Sequence, residues 1–197
     1  CGIVDLTLDD AQAKLKTLMT AYKHLPAAIR NTRKLGKPTN QSEMTLSNGS
    51  SISVGVSHRG GGLNWLHVSE YGKISATNPE AAREIKTGGF PTVPIGGRID
   101  CESTAHGTSG EFADMVKTAQ RKAQEGVAFT PVDFKLSFFG WCMKPEYRLQ
   151  PHMVSISHEL REYFREVRDK HGVALDPEQM AWYAKTVEDY GPDDMME

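Results

Sequence analysis

The hydrophobic positions follow two different periods along the chain. Short apolar runs, which are typical of buried strands, occupy residues 1–8, 63–69, 98–104 and 132–141. Apolar residues spaced three and four apart instead predict helices over residues 11–24 and 79–87, and a longer helix capped by Ser109. Because strands alternate with helices, the pattern predicts an α/β fold with a mainly parallel sheet flanked by helices.

Turn residues interrupt this alternation between the first helix and the second strand. Asn48 and Gly49 stand between two segments of alternating polarity, which is the strongest short-range indication of a β-hairpin. The hairpin is therefore expected as an insertion in the sheet. Residues 30–41 are polar, basic and interrupted by glycine and proline, so an exposed loop is expected there.

The pattern changes after Pro151, where no further strand is expected. Two helices are predicted over residues 157–171 and 177–190, capped by Ser157 and Asp176 respectively. This change divides the chain into two predicted domains, an α/β domain over residues 1–150 and a helical linker subdomain over residues 151–197.

Composition excludes several classes of protein. The chain has 197 residues, a formal net charge of -2 and 39% hydrophobic residues, so it is neither disordered nor strongly basic overall. Three widely spaced cysteines without a Cys-x-x-Cys pair argue against a disulfide framework and a zinc site. No apolar run reaches the length of a membrane span. Since the sequence enters directly on an apolar strand without an initiator Met, we expect it to be a piece of a longer protein.

Acidic and hydroxyl side chains follow two of the predicted strands. Ser69 and Glu70 end the first of them, in the sequence HVSE, and Ser103 and Thr104 end the second, in ESTA. If these strands are parallel neighbours, all four side chains lie at one edge of the sheet, where α/β proteins bind their ligands. A nucleoside triphosphatase places a water-orienting carboxylate and a phosphate-sensing hydroxyl in this way. The alternative is that these residues only cap strand ends.

The order and spacing of five segments resemble one family. LSNGSSISVG, RGGGLNWLHVSEYGKI, PEAAREIKTG, ESTAHGTSGEF and DFKLSFFGW are similar to the ATPase domain of the large terminase subunit of tailed bacteriophages, which packages DNA into a prohead. The resemblance implies a P-loop NTPase-like sheet. It implies that Glu70 is the catalytic carboxylate of the Walker B segment, that Ser103 and Thr104 belong to the coupling motif, and that Arg59 is a basic residue that stabilises charge.

The resemblance also implies ATP and Mg²⁺ as ligands, with two departures from the family pattern. Ser69 stands where an aspartate is usual, so Ser69 and Glu70 would hold Mg²⁺ with one carboxylate fewer, and Ser69 and Ser103 would line the nucleotide site. The phosphate-binding pattern G-x-x-x-x-G-K-[ST] does not occur in these 197 residues. We therefore expect the parent protein to be the ATPase and this chain to be inactive alone.

The implied partners are those of a packaging motor. They are double-stranded DNA, the terminase small subunit and the portal protein, with homo-oligomeric assembly on the prohead in the cytoplasm of the bacterial host. The alternative is a non-catalytic DNA-binding or assembly module that retains the fold, as in a prophage relic.

Two other motifs are weaker. HGTSGE lacks the second glycine of the serine-hydrolase elbow, because Glu111 occupies that position. The glycines of RGGG precede a strand instead of opening a helix, which favours a flexible loop over a phosphate cradle.

Overall fold

The chain separates into two compact units in the computed structural model. They are Cys1–Leu136 and Ser137–Glu197, and residues 1–191 are described. The first unit contains the six-stranded sheet, and the described part of the second contains two α-helices. The predicted domain boundary after residue 150 stays a prediction.

The first unit is built on a six-stranded mixed sheet with the order β2-β3-β4-β1-β5-β6. The strands are β1 Gly2–Val4, β2 Leu35–Thr39, β3 Glu43–Leu46, β4 Ser51–Gly55, β5 Trp65–Val68 and β6 Arg98–Cys101. Strands β4, β1, β5 and β6 run parallel to one another. At one side of the sheet, β3 pairs antiparallel with both β2 and β4. The α/β prediction is confirmed, as are the hairpin at Gly49 and the parallel pairing of β5 with β6.

Residues 1–191 contain seven α-helices, five in the first unit and two in the second. They are α1 Leu8–His24, α2 Ala27–Thr32, α3 Tyr71–Thr77, α4 Pro79–Glu84, α5 Glu111–Gln124, α6 His158–His171 and α7 Pro177–Tyr190. A π-helical turn, Ile85–Gly89, continues α4 two residues beyond the end of the helix predicted over 79–87. None of the helices within residues 1–191 combines the length and the apolar character needed to cross a membrane.

Adjacent residues of β1 supply two hydrophobic clusters, because successive side chains of a strand point to opposite faces. Ile3 packs with Ala11 and Leu15 of α1, and with Met44 and Val54 of neighbouring strands. On the other face, Val4 belongs to a cluster contributed by β5, α3 and α4, namely Leu66, Val68, Tyr71, Ile74, Ala82 and Ile85. The sheet is therefore covered on both faces, as expected of parallel strands.

Several local predictions were wrong. The predicted strand over 132–141 has no strand structure, and Phe138 and Phe139 are 76% and 82% exposed. Its alternating apolar residues resemble a strand, but β-propensity reflects packing on a half-buried surface, which this segment lacks. The first strand ends at Val4 instead of residue 8, and Gly110, not Ser109, caps α5.

The basic loop expected at residues 30–41 is only partly a loop. Its beginning completes α2 and its end forms β2, the outermost strand of the sheet. Helix α3 was missed, because it starts directly after β5 without a side-chain cap or a turn sequence that would announce it.

The second unit confirms the two predicted helices. Ser157 caps α6 through its side chain, and Gly172 ends that helix at a φ of 69°. Asp176 and Gln179 form a reciprocal capping box at the start of α7. Aromatic side chains pack the unit, most closely where Tyr147 stacks on Trp182 with ring centroids 4.2 Å apart.

Candidate functional site at the carboxyl edge of the sheet

The carboxyl ends of β1, β5 and β6 lie side by side. The register pairs Val4 with Val68 and Val68 with Cys101, so Asp5, Ser69 and Glu102 follow at the same edge. The backbone N–H of Ser69 donates to the Val4 carbonyl at 2.8 Å, and that of Glu102 donates to the Val68 carbonyl at 3.0 Å. These bonds continue the sheet by one residue. They fix the backbone of Ser69 and Glu102 relative to the neighbouring strands.

Glu70 links β5 to α3 in a left-handed conformation. Its φ is 53° and its ψ is 36°, and residues 1–191 contain no other non-glycine residue with positive φ. This conformation costs a residue with a Cβ about 1–2 kcal/mol. Such outliers occur at functional sites, where the surrounding structure holds them in place. The turn leaves the Glu70 side chain half-buried at the sheet edge.

Ser103 approaches Glu70 from the neighbouring strand end. Its hydroxyl lies 3.4 Å from Oε2 of Glu70, at the outer limit of hydrogen bonding. The approach requires glycine at position 72, because a Cβ there would lie 2.8 Å from Oγ of Ser103 and 3.1 Å from the ring of Phe112. Two of the predicted site residues are thus in direct contact.

Ser69 interacts with a carboxylate that sequence reasoning did not select. Its side chain donates to Oε1 of Glu102 at 2.5 Å, and Ser69 itself is only 1% exposed. Nε2 of His67 lies 3.6 Å from the same oxygen, which makes an ion pair whenever His67 is protonated. A carboxylate oxygen therefore lies beside the serine that replaces the usual aspartate.

Asp5 adds a second unforeseen carboxylate. It is 2% exposed, accepts a hydrogen bond from the Leu6 N–H at 2.7 Å and is paired with the ammonium group of Lys14. Partial burial lowers the pKa of Lys14, but the hydrogen bond and charge of Asp5, followed by the charge of Glu102, raise it overall. Lys14 therefore remains a cation at this acidic edge.

Position explains why Asp5 and Glu102 were missed. The first strand was predicted to continue through residue 8, which made Asp5 an internal strand residue. Glu102 was visible in the sequence ESTA, but only the register aligns it with Ser69. That register pairs each residue of β5 with the residue 33 positions later in β6, as in Trp65 with Arg98.

The two remaining predicted residues occupy different surroundings. Thr104 is exposed in the segment that follows Ser103. Arg59 is exposed and forms an ion pair with Glu84, with 2.7 Å between Nε and Oε1. The structure thus places Ser103 against Glu70, whereas Ser69 contacts Glu102 and Arg59 contacts the end of α4. The catalytic roles of Glu70, Arg59 and Thr104 and the ligand-binding roles of Ser69, Glu70 and Ser103 stay predictions.

Oxygen atoms dominate the edge. Carboxylate and hydroxyl oxygens suit a hard cation such as Mg²⁺, which is commonly bound by one or two carboxylates together with phosphate oxygens and water. Within residues 1–191, no three His, Cys, Asp or Glu side chains converge as a complete ligand set. The arrangement can orient a water molecule through Glu70 and can contribute oxygens to a metal held jointly with a phosphate-bearing substrate.

Comparison with known proteins adds no family assignment. No family model matches the chain, and no curated protein matches it.

Proposed function

We propose that the chain is the catalytic-carboxylate half of an ATPase of the DNA-packaging type, the large terminase subunit of tailed bacteriophages. One observation carries the proposal. Glu70 stands at the carboxyl end of a parallel strand, in a strained conformation, with the hydroxyl of Ser103 from the next strand 3.4 Å away. In the intact protein, ATP hydrolysis drives translocation of double-stranded DNA, and the chain alone is inactive.

In this proposal Glu70 accepts the hydrogen bond of the attacking water and orients it toward the γ-phosphate. Ser103 restrains the Glu70 carboxylate, and Thr104, next to it, responds to phosphate release. Mg²⁺, when bound, neutralises charge on the phosphate oxygens. Ser69 and Glu70 would hold it, and the proximity of Glu102 to Ser69 offers a carboxylate in place of the missing aspartate.

Arg59 retains a smaller part in the proposal. Its pairing with Glu84 neutralises its charge at an exposed site, where such pairs contribute little to stability. A role in charge stabilisation requires Arg59 to leave Glu84. The small subunit, the portal protein, homo-oligomeric assembly and the host cytoplasm belong to the same proposal.

The test is ATP hydrolysis by the parent protein, in which a phosphate-binding segment accompanies this chain. Glu70→Gln keeps the size of the side chain and removes its charge, so hydrolysis falls by about 10²–10⁴, the usual contribution of a general base. Glu80→Gln, in the exposed first turn of α4, removes the same charge away from the edge and leaves hydrolysis unchanged. Equal rates for the two variants would refute the proposal.

A second candidate is the non-catalytic DNA-binding or assembly module. One observation favours it: exposed cations cluster on α1, α2 and β2, at the side of the sheet away from β5 and β6. DNA binding without any effect of Glu70→Gln on hydrolysis would identify this function.

A further inference from the structure

The segment between Asp10 and Glu43 carries only positive charge. It contains seven Lys and Arg residues, while all 25 acidic residues of the chain lie elsewhere. The formal net charge of -2 therefore conceals a segregated distribution. Local segregation of this kind creates the potential that attracts polyanions.

Six of these cations are exposed and form what we call the basic surface: Lys16, Lys23, Arg30, Arg33, Lys34 and Lys37. None of the six forms an ion pair with an acidic residue in the part of the chain that the structure describes. The seventh, Lys14, is paired with Asp5 at the sheet edge. The basic surface thus differs from most of the other charged surfaces, on which opposite charges alternate.

The backbone presents these cations on regular structure. Lys16 and Lys23 are seven residues apart in α1, about two helical turns, so they lie on one face. The hydroxyl of Tyr22 donates to the Arg33 carbonyl at 2.7 Å and ties the end of α2 to α1. Lys37 belongs to β2, which pairs with β3. The backbone positions that carry Lys16, Lys23, Arg33 and Lys37 are therefore fixed before any ligand binds.

Protection of an edge strand does not account for the whole surface. Lysine on an outer strand prevents pairing with other chains, and β2 is the outermost strand. That explanation covers Lys37 alone, because Lys16 and Lys23 belong to α1 and Arg30 belongs to α2.

We infer that the basic surface binds the phosphate backbone of double-stranded DNA. The choice of duplex DNA as the ligand rests on the proposed function. The location of the binding site rests on the charge distribution of the chain. An anionic membrane fits less well, because residues 11–42 contain no Trp or Phe anchor and their largest exposed apolar side chains are only 38–50% exposed, namely Leu18, Leu25, Ile29 and Leu35. Backbone contacts of Lys and Arg position DNA without reading its sequence.

The location separates binding from hydrolysis. In the sheet, β2 and β5 are separated by β3, β4 and β1, so the basic surface and Glu70 lie on different parts of the first unit. DNA affinity can therefore be measured on this chain without nucleotide. Glu70→Gln is expected to bind DNA as the unchanged chain does, which keeps failure of this inference distinguishable from failure of the proposed function.

The experiment measures fluorescence anisotropy of a short labelled duplex with the chain at several salt concentrations between about 50 and 200 mM NaCl. The variant R30Q/R33Q/K34Q/K37Q should bind at least about tenfold more weakly at the lowest salt. The slope of log affinity against log salt should become shallower by about 3 to 4, since each lost phosphate contact removes about 0.9.

The matched control removes two arginines and two lysines that are equally exposed in the first unit, in the variant K73Q/R83Q/R121Q/K135Q. Both variants lower the net charge by four. Equal loss of DNA affinity in the two variants would show a general charge effect and would overturn the inference. Failure of the unchanged chain to bind the duplex overturns it too. So does binding to phosphatidylserine vesicles, lost in the first variant, without binding to DNA. Single variants Arg33→Gln and Lys37→Gln, checked by circular dichroism, should each lower the slope by about 0.9.

Discussion

Glu70 has a backbone conformation that glycine would adopt without cost, yet a carboxylate occupies the position. The strain of about 1–2 kcal/mol is offset by the packing of the residues that follow, since Tyr71 and Ile74 are fully buried. The strained turn fixes the direction of the carboxylate next to Ser103. At the residue scale, backbone strain and side-chain chemistry therefore coincide at the proposed catalytic position.

Ser69 tests the metal-binding part of the proposal. In the parent protein, Ser69→Asp adds a charged oxygen ligand and should lower the Mg²⁺ concentration that supports half-maximal hydrolysis. Ser69→Ala should raise that concentration modestly and release Glu102 from its hydrogen bond. A Mg²⁺ titration of hydrolysis measures both. An unchanged titration in Ser69→Ala would mean that the hydroxyl only caps the strand end.

At the scale of elements, the close approach of α3 to the segment after β6 assembles the site. Gly72→Ala places a methyl group 2.8 Å from Oγ of Ser103. Overpacking costs about 1–3 kcal/mol, and the better helix propensity of alanine returns up to about 1 kcal/mol. We therefore expect the unfolding free energy to fall by about 1–2 kcal/mol in chemical denaturation, with Ser103 displaced from Glu70.

The control for this change is Gly61→Ala. A Cβ at Gly61 meets no atom within 4 Å, and its φ is not in the left-handed region. It should alter the unfolding free energy by less than about 0.5 kcal/mol. Equal stability of the two variants would show that α3 has room to move.

The sequence predicted those elements whose ends carry specific chemistry. Asn48 and Gly49 indicated the hairpin, and Ser157 and Asp176 indicated the starts of α6 and α7. Tertiary context decided the rest. The strand predicted over 132–141 has no partner strand, although Phe134 packs against Phe90 with ring centroids 5.5 Å apart.

The candidate site was predictable only in part for the same reason. The hydroxyl and acidic residues at the ends of β5 and β6 could be selected from the sequence, because strand ends in parallel sheets are ligand sites. The contacts of Ser69 with Glu102 and of Asp5 with Lys14 depend on strand register and on where β1 ends, which no local pattern determines.

At the scale of the whole first unit, buried acids make stability depend on alkaline pH. Burial, followed by the charges of Asp100 and Glu102, raises the pKa of Cys101 from 9.0 to about 12. Burial also raises the pKa of Tyr71. Both groups lose their protons more readily when unfolded. The contribution of Cys101 is therefore complete below pH 9.0 and is lost as the pH rises from 9.0 toward 12, and that of Tyr71 is lost only above pH 10.0.

Chemical denaturation at a series of pH values checks this dependence. The unfolding free energy should fall above pH 9.0. A single titrating group can lower it by at most about 1.4 kcal/mol per pH unit. Cys101→Ala removes one titrating group and should make the decline shallower, while Cys142→Ala, in the second unit, should leave it unchanged. The same decline in both variants would contradict the assignment to Cys101.

The central claim is that the edge formed by β5 and β6 is a site of ATP hydrolysis. The most direct measurement compares single-turnover hydrolysis with nucleotide affinity on the same Glu70→Gln protein, in the parent protein. Hydrolysis should fall by about 10²–10⁴, and affinity should change by less than about threefold, because phosphates are held mainly by backbone amides, lysine and Mg²⁺. Hydrolysis retained within about threefold would show that Glu70 only terminates a strand, and the edge would no longer qualify as the catalytic site.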